Sequence, residues 1–186
     1  MNHLSIDLET LNTTPDAAII SIGACFFDPI KGEIGAKFYQ AIDINNAIEN
    51  GTVSGSTLTW WVQQKENAKE VFSDPDALPI MNALGFFRQW VTLNRIDADV
   101  QVWGNGATFD NVILEYAFNK EKILCPWKFN KNRDLRTIKE LAKQLNDGNT
   151  VKIDRTGGTE HNALDDAINQ ANACIEYYRV IGIGDL

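Results

Sequence analysis

Three cysteines in 186 residues, Cys25, Cys125 and Cys174, are too few and too scattered for a disulfide scaffold or a thiolate zinc site. They read as packing residues of a protein kept in a reducing, cytoplasmic setting. No apolar run approaches the ~20 residues that cross a bilayer, so no membrane helix is expected. The opening residues 1–7 lack the basic and apolar regions of a signal peptide. Repeats, low-complexity tracts and linkers are absent too, and a single domain over 1–186 follows, long enough to bury a sizeable core. Histidine is scarce, with only His3 and His161. Basic charge is also in deficit: 17 basic against 25 acidic residues give a net charge of −8 and an isoelectric point near 4.7. That balance is wrong for a protein that binds nucleic acid by bulk electrostatics.

What basic charge there is sits together. Residues 120–143 hold eight basic side chains (Lys120, Lys122, Lys128, Lys131, Arg133, Arg136, Lys139 and Lys143) against Glu121, Asp134 and Glu140, a net of +5 that leaves −13 for the remainder. Such a segment suits a phosphate backbone, and a solvated helix face is the plainer reading. The acidity elsewhere is either solvating or gathered to hold a cation.

Apolar runs separated by turn residues predict three neighbouring strands at 3–8, 18–27 and 33–42, the second and third joined as a hairpin. The period then changes to helical over 57–69 and 79–92, the latter carrying Leu84, Phe87, Trp90 and Val91 on one stripe. A short strand at 100–103 runs into Gly104-Asn105-Gly106 and a helix from about 108 to 119. Another helix is expected over 134–145. The last helix carries Leu164, Ala167, Ile168, Ala171, Ile175 and Tyr178 along one stripe, with Asn162 placed to cap it. Strands first, then strands alternating with helices, make an α/β protein with a mixed sheet covered by helices.

Asp7 and Glu9 flank Leu8 at the end of the first strand, and period-two alternation turns both carboxylates to one face. Like charges that close need a countercharge, and hard oxygen donors suit Mg²⁺ or Mn²⁺; a solvated strand end is the alternative. Asp110 opens a helix, where a carboxylate can also act simply on the dipole. His161 follows Thr156-Gly157-Gly158-Thr159 and stands five residues before Asp166. Five helical steps rotate by about 500°, so the two meet in one site only if His161 lies in the loop or at the cap. Asp165 and Asp166 flank the apolar stripe on opposite sides, and periodicity does not choose between them. His3 reads as a strand-edge residue. Trp60 and Trp61 could stack a base, but they point about 100° apart on a helix, so at least one belongs to the core, and core packing of both is the plainer reading.

The joint order is more specific than any single signal. Ile6-Asp7-Leu8-Glu9-Thr10, Gly104-Asn105-Gly106-Ala107-Thr108-Phe109-Asp110 and His161-Asn162-Ala163-Leu164-Asp165-Asp166 together resemble the DnaQ-like 3′–5′ exonucleases of the DEDDh group. Residues 18–24 are similar to that family's second strand, and Trp60-Trp61 and Asp134-Leu135-Arg136-Thr137 resemble its small phage-type branch. The resemblance spans residues 3 to about 178. It implies an RNase H-like mixed five-stranded sheet, its first three strands antiparallel, with helices on both sides. The family spacing selects Asp166 over Asp165. It makes Asp7, Glu9, Asp110 and Asp166 the ligands of two Mg²⁺ or Mn²⁺ ions, and His161 the general base that takes a proton from the attacking water. Thr10, Leu11, Asn105, Phe109 and Trp61 become candidate contacts to the substrate's terminal nucleotide. Two departures stand out: the family's glycine after the first motif is replaced by Leu11-Asn12-Thr13-Thr14, and Asn105 sits one residue earlier than in proofreading members.

The resemblance therefore implies a metal-dependent hydrolase that releases nucleoside 5′-monophosphates from the 3′ end of single-stranded or overhanging RNA or DNA. It is compatible with a homodimer. An RNase H-like endonuclease would share fold and metals without needing His161, and a non-catalytic binding module would need no base. An acidic Ca²⁺-binding protein is excluded by the lack of a consecutive ligand loop.

Overall fold

The structure, a computed structural model, describes residues 1–153, 157 and 161–183. Of the glycine-bearing loop read from the sequence, Thr156, Gly158 and Thr159 fall outside the described residues. The chain begins with β1 (His3–Thr10), β2 (Ile19–Asp28) and β3 (Glu33–Ala41), then α1 (Ile44–Asn50), α2 (Gly55–Val62), a 3₁₀ helix (Glu66–Ser73) and α3 (Ile80–Asn94). It continues with β4 (Gln101–Gly104), α4 (Asp110–Lys120), β5 (Asn132–Asp134), α5 (Leu135–Leu145) and α6 (Ala163–Ile181). The five strands order as β3-β2-β1-β4-β5. β1 to β3 pair antiparallel, and β4 and β5 add on in parallel. This is the mixed sheet expected.

Strand alternation sorts the core into two layers. On one face Leu4, Ile6 and Leu8 of β1 and Ile20, Ile22, Ala24 and Phe26 of β2 pack against Leu84, Phe87 and Val91 of α3 and Ile113, Leu114 and Phe118 of α4. On the other, Cys25 and Phe27 of β2 and Trp103 of β4 pack against Leu135 and Ala142 of α5 and Ala171, Cys174 and Ile175 of α6. Asp7 and Glu9 belong by parity to the α5–α6 face, as period-two reasoning requires.

That face is closed by an unusually near approach. Gly23 of β2 pairs with Asp7 of β1. A Cβ built on Gly23 would lie 2.0 Å from the carbonyl carbon of Ala163 and 2.2 Å from the amide nitrogen of Leu164. The first turn of α6 thus rests backbone-to-backbone on the sheet, which only glycine permits. The buried side of α6 accordingly begins with small residues, Ala163, Ala167, Ala171 and Cys174, and ends on Ile175 and Tyr177; of the predicted stripe Ala167, Ala171 and Ile175 are buried, whereas Leu164, Ile168 and Tyr178 are only half buried. Asn162 caps the helix as expected, its Oδ1 accepting from the amides of Leu164 at 3.1 Å and Asp165 at 3.2 Å.

Other differences from the sequence reading have local causes. The helix expected over 57–69 stops at Val62, and the chain re-forms as the 3₁₀ turn that buries Ala68 and Val71. β5 is three half-buried polar residues at the sheet edge, without an apolar pattern to reveal it. α1 is seven residues long and begins at Asp43, which accepts from the Asn46 amide. His3 is no edge residue: β1 is the central strand. The His3 ring stacks on Trp103 and its Nδ1 accepts from the Trp103 indole at 3.0 Å. The three cysteines are free, two of them buried.

Replacing Gly23 by alanine should force α6 off the sheet. The expected outcome is a loss of about 1–3 kcal/mol in urea unfolding, with turnover reduced further than the stability loss accounts for. Unchanged unfolding would contradict the close approach.

Candidate active site

The sheet brings three acids to one end of its central strands. Asp7 and Glu9 leave β1 on the α6 side, and Asp110 opens α4 directly after the β4 turn. Asp110 is 3% exposed, and its Oδ1 accepts from the Leu8 amide at 3.2 Å, which ties α4 to the strand carrying the acid pair. The tight Gly104 turn is enforced by Asn111, whose Oδ1 lies 2.3 Å from where a Cβ on Gly104 would be.

α6 supplies the fourth acid. His161 and Asp166 reach one site because His161 precedes the helix in a left-handed conformation, φ 63°, with its amide donating to Asp166 Oδ2 at 3.1 Å. One ligand atom each from Glu9, His161 and Asp166 lies within 4.8 Å of the others. The structure thus brings Asp166 to the cluster, while the Asp165 amide is used by the cap. Asp7 is met from α6 by Gln170, whose Nε2 donates to Asp7 Oδ1 at 2.6 Å. Gln170 was missed from sequence, although its spacing of four from Asp166 sets both on one side of a helix.

Burial, joined for Asp7 and Glu9 by repulsion from neighbouring acids, shifts the carboxyls of Asp7, Glu9 and Asp110 toward their neutral form. Burial, then Asp110, Glu9 and Asp166, raise Asp7 well above the usual carboxylate range, against the pull of the Gln170 amide. Glu9 is pushed up to about 9 by burial and by Asp166 and Asp110. Asp110 rises to about 7, burial outweighing the backbone amides and Arg136. Among the described residues no lysine or arginine forms an ion pair with Asp7, Glu9 or Asp110. A crowded set of hard oxygen donors, of which Asp7, Glu9 and Asp110 have no ion-paired lysine or arginine among the described residues, fits divalent cations of the Mg²⁺ or Mn²⁺ kind.

Two clefts meet at the cluster. One, about 400 Å³, is lined by Leu8, Glu9, Thr10, Thr57, Trp60 and Phe109 among others. The other, about 460 Å³ between α5 and α6, includes Asp7, Asn105, Lys139, Asp166 and Gln170. Among the expected substrate contacts, Thr10, Phe109 and the exposed Asn105 line these clefts. Leu11 and Trp61 do not. Leu11 is 1% exposed and Trp61 2%, because Trp61 packs on Phe72 and its indole donates to the Thr10 carbonyl at 2.9 Å. Their side chains are core. Trp60, 40% exposed, is the tryptophan that faces the site, 4.7 Å from the His161 ring between centroids.

The basic segment is not one surface. Lys131 pairs with Asp99, Lys120 donates to the Asn50 carbonyl, and Arg133 is bound to Gln101 and to backbone carbonyls. Lys139 lines the α5–α6 cleft, and the Arg136 guanidinium lies against Gly106.

Comparison with known proteins agrees with this geometry. Residues 2–178 match the family described as the 3′-5′ exoribonuclease Rv2179c-like domain. The chain belongs to that family. Its members' fold and the DnaQ-like character read from the motifs coincide here, and the Rv2179c-like chain is a 3′-5′ exonuclease by family. It is 24% identical over 188 residues to the exodeoxyribonuclease of Enterobacteria phage T4, covering 87% of this chain and 82% of that protein. Solved structures share the fold. Cell-death related nuclease 4 (CRN-4) superposes with a TM-score of 0.66 at 17% identity over 98% of this chain, which spans 64% of the CRN-4 chain. S. pombe Pop2p in its Mg²⁺ and Mn²⁺ bound form gives 0.65 at 14% identity, covering 95% of this chain and 82% of that one. The nuclease domain of 3′hExo, a DEDDh family member bound to rAMP, gives 0.59 at 16% identity, covering 98% and 92%.

The raised carboxyls set a pH dependence with a definite sign. An acid whose pKa is higher folded than unfolded stabilises the fold while both states hold the proton, and that stability is lost as pH rises through the folded value. In EDTA the melting temperature should therefore fall between about pH 4.5 and 9, the range set by Glu9. Glu9→Gln should flatten the fall and gain about 1–3 kcal/mol at pH 8. A metal-free melting temperature that climbs over this range would contradict the crowding.

Proposed function

We propose that the protein hydrolyses the 3′-terminal phosphodiester of a nucleic acid strand and releases a nucleoside 5′-monophosphate. The observation that carries the reading is the convergence of Glu9, Asp166 and the His161 ring within 4.8 Å, beside the buried Asp7 and Asp110. Binding alone needs no such imidazole.

Asp7, Glu9, Asp110 and Asp166 would hold two divalent cations, which when bound neutralise the phosphodiester oxygens and stabilise the charge on the attacking and departing oxygens. His161 accepts a proton from the attacking water as its oxygen bonds to phosphorus. The bond from phosphorus to the 3′-oxygen of the penultimate nucleotide breaks, and that oxygen leaves as the new 3′-hydroxyl once protonated. The left-handed backbone at His161, φ 63°, and the amide bond to Asp166 aim the ring without requiring a place inside α6. The terminal nucleoside fits the cleft of about 400 Å³ with Trp60 and Phe109 as its apolar walls. Either sugar is a candidate, since the family description names an exoribonuclease and the phage relative is an exodeoxyribonuclease.

Digestion of labelled strands and a set of variants test this. With Mn²⁺ and matched RNA and DNA oligonucleotides labelled at either end, mononucleotides should leave from the 3′ end only; internal fragments would overturn the reading in favour of an endonuclease. His161→Ala should lower kcat by roughly 10²–10⁴-fold while Mn²⁺ still binds, whereas Asp7→Ala should lose metal binding and turnover together. Trp60→Ala should raise KM roughly tenfold with little effect on stability, the scale of one lost base stack. Trp61→Ala should instead destabilise the protein by about 3–5 kcal/mol.

A further inference from the structure

Among the described residues, one short contact at the site lies outside the motifs: Gln170 Nε2 to Asp7 Oδ1, 2.6 Å. An amide nitrogen at that distance donates, and the acceptor is a carboxylate oxygen, so the bond is charge-assisted whenever Asp7 is ionised. The other end of the same side chain is peculiar. Gln170 Oε1 is buried and accepts no hydrogen bond among the described residues. An orphaned buried acceptor costs stability, and Ser5 Oγ and Asn111 Oδ1 share that state. What singles out Gln170 is that its nitrogen is spent on an acid of the cluster.

Its position fits that use. Gln170 follows Asp166 by four residues on α6, so the helix that carries one carboxylate reaches across to orient another on β1. The bond occupies Oδ1 of Asp7 and fixes the carboxylate plane, leaving Oδ2 and the second lone pair of Oδ1 for the cleft. Asp7 is the acid that most needs fixing, because Asp110, Glu9 and Asp166 all repel it.

We propose that Gln170 is a positioning residue for Asp7, locking the carboxylate in the rotamer that binds cation. The proposal rests on the metal-site reading given above. Partners that orient a metal's ligands are worth about 10–100-fold in affinity, and Gln170→Leu, which keeps the bulk and removes the donor, should weaken Mn²⁺ binding by that factor in calorimetric titration. Its melting temperature in EDTA should change little, since one orphaned acceptor disappears as one hydrogen bond is lost. Gln170→Met, similar in length but without the donor, should bind Mn²⁺ no better than the leucine variant. In both, kcat/KM at subsaturating Mn²⁺ should fall and recover toward the parent value at saturating Mn²⁺. Parental Mn²⁺ affinity in Gln170→Leu, or a loss of EDTA-state stability with affinity preserved, would assign Gln170 to packing and overturn the proposal. Failure of the parent protein itself to take up Mn²⁺ would overturn the metal-site reading, and this assignment with it.

Discussion

The backbone of Ala163 and Leu164 lies so close to Gly23 that no side chain fits between them, and this contact governs the molecule. It sets the first turn of α6 level with Asp7, the partner of Gly23 across β1 and β2, and so decides where Asp166, Gln170 and His161 stand. A helix kept at ordinary distance from the sheet would hold these groups several ångströms away, too far to share a site with β1. The alanines along the buried stripe of α6 are the counterpart of the glycine: they let the rest of the helix follow its first turn down onto the strands.

The same approach creates the site's main energetic difficulty. Two carboxylates about 5 Å apart in a medium of effective dielectric ~20 repel by roughly 3 kcal/mol, and this cluster holds four. The protein offers backbone and amide donors, the Leu8 amide to Asp110 and Gln170 to Asp7, but no ion-paired lysine or arginine for Asp7, Glu9 or Asp110 among the described residues. Without cations the remedy is protonation: burial, helped by Asp166 and Asp110, pushes Glu9 to about 9, and burial pushes Asp110 to about 7. The two apolar layers supply the stability that makes such a cluster tolerable. Acid crowding and a large core are thus parts of one balance.

How much of this could be read from the sequence depends on what kind of signal each feature leaves. Alternation in a strand is a local property, so the common face of Asp7 and Glu9 was legible, and so were the hairpin of β2 and β3 and the cap at Asn162. β5 was not, because Asn132, Arg133 and Asp134 at a sheet edge bury no apolar side chain. The stripe on α6 was read in part: Ala167, Ala171 and Ile175 are buried as expected, but hydrophobicity also pointed to Leu164 and Ile168, whereas close packing selects Ala163 and Cys174. That difference is what left Asp165 and Asp166 equivalent on periodicity. Gly23, a glycine inside an otherwise apolar strand, carried a signal of close approach that only the position of α6 interprets. Trp60 and Trp61 were separable in principle by 100°, but which of them turned inward depended on Thr10 offering its carbonyl. Leu11 looked like a substrate contact by position in a motif and is instead pinned in the core.

The net charge of −8 bears on how a polyanion would be held. Three of the eight basic side chains in 120–143 are spent on joining elements, Lys120 to α1, Lys131 to Asp99 and Arg133 to Gln101. Among the described residues, Lys139 lines the α5–α6 cleft and Arg136 acts on Asp110. Two cationic side chains beside four acids leave a net negative charge, so under the proposed reading the strand has no favourable field at the cluster until cations arrive. Binding of the scissile phosphate and its cleavage then depend on the same ions. The terminal base, by contrast, depends on Trp60 and Phe109, whose apolar contact is insensitive to salt. Recognition of the end of a strand and hydrolysis of its last bond are thereby separated into two kinds of interaction on either side of Glu9, one apolar and one electrostatic.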